Sequence, residues 1–152
     1  MPEHLPHPAN APGAFYVEDG CCTMCEVPFA SAPELFGTVQ DPKGYPHCYV
    51  KRQPATQAEL DGMLMAVKCA ELECIRYRGS DRLIQLELVQ ADLGIVCDGL
   101  PADLQAEADR CEVERQRRWL EHLRSQHALG DTRPTPPRPS GGSGSTQDAK
   151  PF

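Results

Sequence analysis

The first 80 residues of the chain predict an α+β fold, because strand and helix signals alternate along them. The run "AFYVE" at residues 14–18 is aromatic and β-branched and lies between glycines, which predicts a strand. A capping box that begins at Thr56, followed by apolar residues at helical spacing, predicts a helix over residues 57–72. The run "CIRYR" at residues 74–78 predicts the closing strand.

Two further elements are predicted between the first strand and the long helix. In "SAPELF", Ser31 stands at an N-cap position and Pro33 lies in the first turn of a short helix. The segment at residues 37–54 reads as a hairpin, with turn residues at 41–44 and a return strand at 47–52. The complete order is therefore strand, helix, hairpin, helix, strand.

The second half of the chain is predicted to be helical. In "DRLIQLELVQADLG" the leucines and the isoleucine fit either a strand or a helix, and we favour a helix because Asp81 stands near its start and Gly94 at its end. Residues 103–129 are rich in good helix formers with a broken apolar stripe, which predicts a long exposed helix.

Composition divides the chain into four parts. Residues 1–13 contain four prolines in the first dozen positions and are expected to be loose. Residues 14–80 form the α+β domain, and residues 81–129 a helical extension. Residues 130–152 are rich in Pro, Gly and Ser and lack large aliphatic side chains, so we expect a disordered tail.

Charge and cysteine content limit the function classes. A net charge of −7 argues against nucleic-acid binding and suits either a basic partner surface or plain solubility. No apolar run is long enough for a signal peptide or a membrane span, so we expect a cytoplasmic protein without membrane contact. Eight cysteines in such a reducing compartment favour metal binding or redox chemistry over structural disulfides.

The cysteines concentrate in "GCCTMCEVPFASAPELF", residues 20–36. Cys22-x-x-Cys25 is a short-range ligand pair, because two thiolates at this spacing can converge on one ion or cluster. The pair alone does not separate zinc sites, iron–sulfur clusters and redox dithiols. Cys74 stands after the long helix, at the start of the last predicted strand.

With "FYVEDGCC", "APELF", "HCYVKRQP" and "CIRYRG", the chain resembles the single-cluster bacterial ferredoxins over about residues 14–80. The resemblance implies a βαββαβ fold, a [3Fe–4S] or [4Fe–4S] cluster and electron transfer. It also implies Cys22, Cys25 and Cys74 as cluster ligands. The core expected for this domain comprises Phe15, Val17, Leu35, Phe36, Leu60, Leu64, Val67 and Ile75.

The chain departs from the ferredoxin pattern at the third ligand. Pro28 stands there and has no donor atom, and Ile75 replaces the usual proline after the last cysteine. Three thiolates suffice for a [3Fe–4S] cluster, whereas a [4Fe–4S] cluster needs a fourth ligand. Cys48 on the return strand is the preferred source if the hairpin folds over the loop. Cys21 is less favoured because neighbouring side chains point apart, and His47 is a further possibility.

Three functions compete at this stage. The first is an iron–sulfur electron carrier that is not an enzyme and docks to a redox partner, either a reductase or an oxygenase-type acceptor. The second is a cluster-less or zinc-binding protein for protein–protein interaction, with Cys22, Cys25, Cys48 and His47 around the zinc ion. The third is a thiol–disulfide enzyme using the Cys22/Cys25 pair.

The remaining cysteines carry less signal, and no other enzyme class has support. Cys69 is expected to pack as a small apolar residue on the long helix. Cys97 and Cys111 lie outside the ferredoxin-like part and are not expected to bind metal. The sequence shows no Ser/His/Asp arrangement, phosphate-binding loop or paired-carboxylate pattern, so no catalytic residue is predicted.

Overall fold

The computed structural model describes residues 3–130, and its side chains to residue 128. These residues form two small antiparallel sheets and four α-helices, so the α+β class is confirmed. The elements are β1 (Phe15–Val17), α1 (Val27–Ser31), β2 (Phe36–Gln40), β3 (Pro46–Val50), α2 (Gln57–Cys69), β4 (Ile75–Tyr77), α3 (Arg82–Gln90), a 3₁₀ turn (Gly94–Val96) and α4 (Ala102–Gly130).

The first sheet pairs the two strands that are most distant in sequence. β1 runs antiparallel to β4, with Phe15 opposite Tyr77 and Val17 opposite Ile75. All six residues of the two strands are buried, so both faces of the sheet are covered. One face contributes Phe15, Val17, Ile75 and Tyr77 to the apolar core.

The other face of this sheet is polar and is closed by the segment that follows α3. Tyr16 and Arg76 lie opposite each other in the register, and both bind Asp98. The Tyr16 hydroxyl donates to one Asp98 oxygen at 2.5 Å, and Arg76 Nε donates to the other at 2.8 Å. Arg76 is only 4% exposed, so Asp98 supplies the counter-charge that makes its burial tolerable. Burial and the Asp98 carboxylate raise the pKa of Tyr16 to about 12.

The second sheet is the predicted hairpin of β2 and β3. Its turn closes through hydrogen bonds from Asp41 N–H to the Tyr45 carbonyl and from Gly44 N–H to the Asp41 carbonyl. The Asp41 side chain accepts two further backbone N–H groups, from Lys43 and Tyr45. Gly44 has φ +85°, a left-handed conformation that a residue without Cβ adopts at no steric cost. The prediction of the hairpin is confirmed.

The capping box of α2 is also confirmed, although the helix ends three residues before the predicted 72. The Thr56 side chain accepts from Glu59 N–H, and the Glu59 carboxylate accepts from Thr56 N–H. Cys69, predicted to pack against the core, is instead exposed. It lies two residues beyond the buried Val67, about 200° around the helix, which turns it to solvent.

The helix predicted to begin at Ser31 is wrong in position, since α1 ends there. Pro28 occupies the first turn of α1, where its missing N–H leaves no helical hydrogen bond unmade. The N–H of Ala32 bonds back to the Pro28 carbonyl and closes the helix. The proline that starts the helix is therefore Pro28, and Pro33 lies in the turn that leads to β2.

Residues 3–13, predicted to be loose, are hydrogen-bonded to the domain. Asn10 is the centre of this connection, because its side-chain oxygen accepts from Val17 N–H on β1 and Val50 N–H on β3. Its amide group donates to the His7 and Val17 carbonyls. The Asn10 side chain thus connects the edges of both sheets. The proline content of residues 1–13 did not indicate this connection.

All residues predicted for the core lie in it, with Leu60 partly buried at its edge. The helical extension contributes as well: Asp81 caps α3, and Leu88, Val89 and Val96 are buried. The exposed Trp119 and Leu120 agree with the prediction of a long exposed helix at α4. The chain divides into two compact units, one ending at Gln116 and the other beginning at Arg117.

Among the helices of residues 3–130, none combines the length and apolar character that crossing a bilayer requires. The predicted tail lies outside the described residues from position 131 onward.

We predict that Asp98→Asn lowers the free energy of unfolding by about 2–3 kcal/mol, because it leaves the buried Arg76 guanidinium without its counter-charge. Urea denaturation measures the change. Glu114→Gln is the matched control, since it removes one exposed carboxylate from α4. Equal stability of the two variants would show that Asp98 does not support Arg76.

Candidate metal centre

The cysteine-rich loop between β1 and α1 has an unusual backbone. Met24 and Glu26 adopt left-handed conformations with φ of 55° and 64°, and Gly20 has φ 73°. Elsewhere in residues 3–130, Asp92 is the one other non-glycine residue with positive φ. Left-handed conformations cost free energy at non-glycine residues, so they concentrate where function requires them. Alternating backbone handedness also turns successive N–H groups toward one side, a geometry that binds anions and cluster sulfurs.

The hairpin lies against this loop, and its Cys48 meets Cys22. Their sulfur atoms are 3.0 Å apart and hydrogen-bonded. The Cys22 sulfur also accepts two backbone N–H groups, from Cys48 at 3.2 Å and from Met24 at 3.4 Å. The loop and β3 therefore bring two of the predicted ligands into contact, although they are 26 positions apart in sequence.

Cys25 is a half-buried free thiol three positions after Cys22 in the same loop. Burial raises the pKa of the Cys48 thiol well above its ordinary value, and the neighbouring Cys22 and Cys25 raise it further. Among the described residues, no hydrogen bond joins the Cys25 sulfur to Cys22 or Cys48, and the three sulfurs do not form a group whose atoms all lie within 4.8 Å of one another. Without metal, Cys48 is a neutral thiol at neutral pH. A bound cation favours the thiolate, so metal binding at this group releases protons.

Cys74, one of the three ligands that the ferredoxin resemblance implies, is not a free thiol in the structure. It forms a disulfide with Cys21, the cysteine that was not favoured as a ligand. The physical reason is local: the side chains of Cys21 and Cys22 point apart, so Cys22 contacts the hairpin and Cys21 contacts the start of β4. Cys74 can supply a thiolate to a metal only after this bond is reduced.

His47 holds the loop in place and does not complete the predicted zinc site. Its Nδ1 lies 2.7 Å from the Cys48 carbonyl oxygen, and its Nε2 accepts the Gly20 N–H at 3.1 Å. Both ring nitrogens are thus engaged by the backbone, and the ring stacks on His7 with a centroid distance of 4.3 Å. His47 anchors the beginning of the cysteine loop to β3, next to Cys48.

His7, Asp19 and His47 form a second group that could bind a metal ion. One potential ligand atom from each lies within 4.8 Å of the others. Burial and His47 lower the pKa of His7, whereas Asp19 raises it. An ion at His47 Nε2 would have to displace the Gly20 N–H. The sequence offered no signal for this group, because its members come from three separate segments and His7 belongs to the stretch expected to be loose.

The other cysteines lie apart from the centre. Among the described residues, neither a disulfide nor a hydrogen bond joins Cys69, Cys97 or Cys111 to the cysteines of the loop. Cys97 is half-buried, and burial raises the pKa of its thiol to about 11, with the Asp98 charge as a second cause. Cys97 borders a cavity of about 840 Å³ on the polar face of the β1–β4 sheet, whose lining contains none of the loop cysteines.

The identity of the centre has to be inferred from these residues alone. Comparison of the chain with protein-family models, with curated proteins and with solved structures found no match.

We predict an order of cysteine alkylation by iodoacetamide at pH 8 without reductant. Cys69 reacts first because it is exposed, and Cys48 reacts far more slowly because it is buried and protonated. The reaction is quenched at timed intervals, and the protein is digested with trypsin and measured by mass spectrometry. Cys48 then lies in peptide 44–51 and Cys69 in peptide 69–76. A denatured sample is the control in which Cys48 reacts freely. Rapid labelling of Cys48 in the native protein would contradict its burial.

Proposed function

We propose that the protein is an iron–sulfur electron carrier whose cluster is held by Cys22, Cys25, Cys48 and Cys74. The observation that carries the proposal is the contact between Cys48 on β3 and Cys22 in the loop. Cys48 has no counterpart in the ferredoxin pattern, whereas Cys22 is one of the ligands that the pattern requires. The contact brings these two cysteines together. Cys48 thereby compensates for Pro28, which has no donor atom at the third ligand position.

The arrangement of elements supports the same proposal. The order β1, α1, β2, β3, α2, β4 is the βαββαβ order that the ferredoxin resemblance implies. Antiparallel pairing of β1 with β4 brings the start of β4, and with it Cys74, to the beginning of the loop that holds Cys22. The Glu18 N–H bonds to the Cys74 carbonyl at 2.8 Å, which fixes this approach.

The donor set fits a cluster in its chemistry. Thiolates are the ligands of iron–sulfur clusters, and hydrogen bonds to their sulfurs and solvent exposure set the reduction potential. Cys22 already accepts two N–H groups, and Cys48 and Cys74 are each 6% exposed. When bound, the cluster would supply a one-electron redox centre. Two buried ligands would shield it from water, and the half-buried Cys22 and Cys25 would keep it near the surface.

Four thiols favour a [4Fe–4S] cluster over a three-iron one. Pro28 is buried in the first turn of α1, so its side chain fills space and binds nothing. Because Cys48 takes over, the ligand count returns to four once Cys74 is reduced. The cytoplasm suits this requirement, since its reducing conditions keep thiols free.

The partner in this proposal is a redox protein with a basic docking surface, either a reductase or an oxygenase-type acceptor. The net charge of −7 is the argument from the whole chain. Exposed carboxylates next to the cysteines, at Asp19, Glu26 and Glu73, give it a local basis. In this role the protein carries electrons and is not itself an enzyme.

A zinc-binding or cluster-less interaction protein is the second candidate. The observation that favours it is the Cys21–Cys74 disulfide, which leaves Cys22, Cys25 and Cys48 as a set of three thiols. Anaerobic purification followed by iron, sulfide and zinc analysis separates the two candidates. Iron and sulfide with absorption at about 400 nm support the cluster, and a colourless protein with bound zinc supports the second candidate.

We predict that serine substitution of Cys22, Cys25, Cys48 or Cys74 lowers the iron content per chain roughly tenfold after anaerobic reconstitution. Each substitution removes one thiolate from a set of four. Cys69→Ser is the matched control, because it removes an exposed thiol that does not contact the centre. If Cys48→Ser retains the iron content of Cys69→Ser, Cys48 is not a ligand.

We predict that Pro28→Cys restores the four-ligand run and makes Cys48 dispensable. The double variant Pro28→Cys/Cys48→Ser should then bind about as much iron as the unsubstituted chain, and Cys48→Ser alone should not. Loss of the fixed proline backbone costs up to about 1 kcal/mol, so melting temperatures are measured in parallel. Failure of the double variant to recover iron, at unchanged melting temperature, would show that residue 28 does not face the cluster.

A further inference from the structure

Cys21 has no role in the ferredoxin pattern, yet it is bonded to one of the proposed ligands. We propose that Cys21 is a redox-sensing thiol that withdraws Cys74 from the ligand set by forming a disulfide with it. Metal loading then depends on the thiol–disulfide balance around the protein. The loading part of this inference rests on the proposed function, whereas the disulfide exchange does not.

The backbone keeps Cys21 and Cys74 together. The Cys21 N–H bonds to the Glu18 carbonyl, and the Glu18 N–H bonds to the Cys74 carbonyl. Glu18 follows β1 directly and Cys74 precedes β4, so the Glu18–Cys74 hydrogen bond extends the β1–β4 pairing, and the Cys21–Glu18 hydrogen bond closes the turn that follows β1. The Cα atoms of the two cysteines are 5.5 Å apart, inside the range that a disulfide spans. Backbone hydrogen bonds therefore hold the two cysteines together in addition to the disulfide.

The sulfurs of Cys21 and Cys74 differ in solvent exposure, which determines which of them reacts first. Cys21 is half-buried, whereas Cys74 is 6% exposed. A low-molecular-weight disulfide such as oxidised glutathione therefore reacts at Cys21. The Cys21 thiolate attacks one glutathione sulfur and releases the first glutathione as thiol. The Cys74 thiolate then attacks the Cys21 sulfur and releases the second.

The exchange is balanced in atoms and electrons. Two S–H bonds of the protein and one S–S bond of glutathione disulfide are lost. One protein disulfide and two glutathione S–H bonds are formed. Two electrons pass from the protein sulfurs to glutathione, and the two thiol protons are carried by the released glutathione molecules.

The two redox forms differ in the number of ligands they offer. With the Cys21–Cys74 bond closed, Cys22, Cys25 and Cys48 remain free thiols. With the bond open, Cys74 returns and the set has four. A four-iron cluster accepts four thiolates, so the reduced form is the one that loads. Formation of the Cys21–Cys74 disulfide thus makes the metal occupancy depend on the redox state of the small-thiol pool.

Disulfide mapping tests the exchange on the metal-free full chain. The chain is incubated anaerobically with oxidised glutathione, its free thiols are alkylated, and it is digested with trypsin. Cys21 lies in peptide 1–43, Cys48 in peptide 44–51, and Cys74 in peptide 69–76. We expect peptide 1–43 to be linked to peptide 69–76 in the unsubstituted chain, in Cys22→Ser and in Cys69→Ser. In Cys21→Ser we expect this link to be lost.

Metal loading tests the consequence. Reduced and glutathione-oxidised samples are incubated with ferrous iron and sulfide, and in a separate series with zinc. We expect about tenfold less iron in the oxidised unsubstituted chain than in the reduced one. In Cys21→Ser we expect the reduced and the oxidised samples to bind equal amounts of iron. The comparison uses only the protein that carries no glutathione adduct.

Each result decides one part. A link that survives in Cys21→Ser, or that joins peptides 1–43 and 44–51 instead, overturns the assignment of Cys21. Equal loading of the oxidised and reduced unsubstituted chain overturns the control of occupancy. If the reduced chain takes up zinc but no iron, the iron–sulfur proposal fails, and the zinc series decides whether the disulfide controls occupancy. If it takes up neither metal, the control of occupancy is overturned, and the mapping still decides the exchange.

Discussion

The pairing of β1 with β4 is the interaction on which the rest of the described domain depends. It joins segments that are about 60 positions apart, between Phe15 and Tyr77 at one end and Val17 and Ile75 at the other. One face of the pair builds the apolar core, and the opposite face is closed by Asp98. The loop after β1 and the start of β4 leave the sheet at the same end, which is why Cys21 and Cys74 meet there. This pairing thus contributes four residues to the core and holds Cys21 beside Cys74.

The hairpin of β2 and β3 supplies what the first sheet lacks. Its strand β3 carries Cys48 into contact with Cys22 and carries His47 to the N–H of Gly20. Burial raises the pKa of the Cys48 thiol well above its ordinary value, so the group is a neutral thiol at neutral pH. The strained conformations of Met24 and Glu26 are held by these surroundings. The loop is therefore a preorganised arrangement, in which free energy from packing offsets local backbone strain.

Local signals allowed much of the fold to be predicted. The capping box at Thr56 is a short-range interaction, so four residues of sequence were enough to predict it. The structure contains it as predicted. The turn at residues 41–44 is equally local. The position of α1 was wrong because both Pro28 and Pro33 suit a first helical turn, and the choice between them depends on where the loop enters the domain. The role of Asn10 could not be predicted, because its partners on β1 and β3 are separated in sequence.

For the candidate site, the sequence by itself determined the donor types and their local spacing. Cys22 and Cys25 stand at the spacing of a ligand pair, and Pro28 has no side-chain donor atom whatever the fold. Only the tertiary structure decided which distant cysteines join them. Whether Cys48 meets Cys22, and whether Cys74 meets Cys21, depends on which strands pair and which way adjacent side chains face. Those outcomes are set by packing of the whole domain, because a sulfur–sulfur contact across 26 or 53 positions has no local signature.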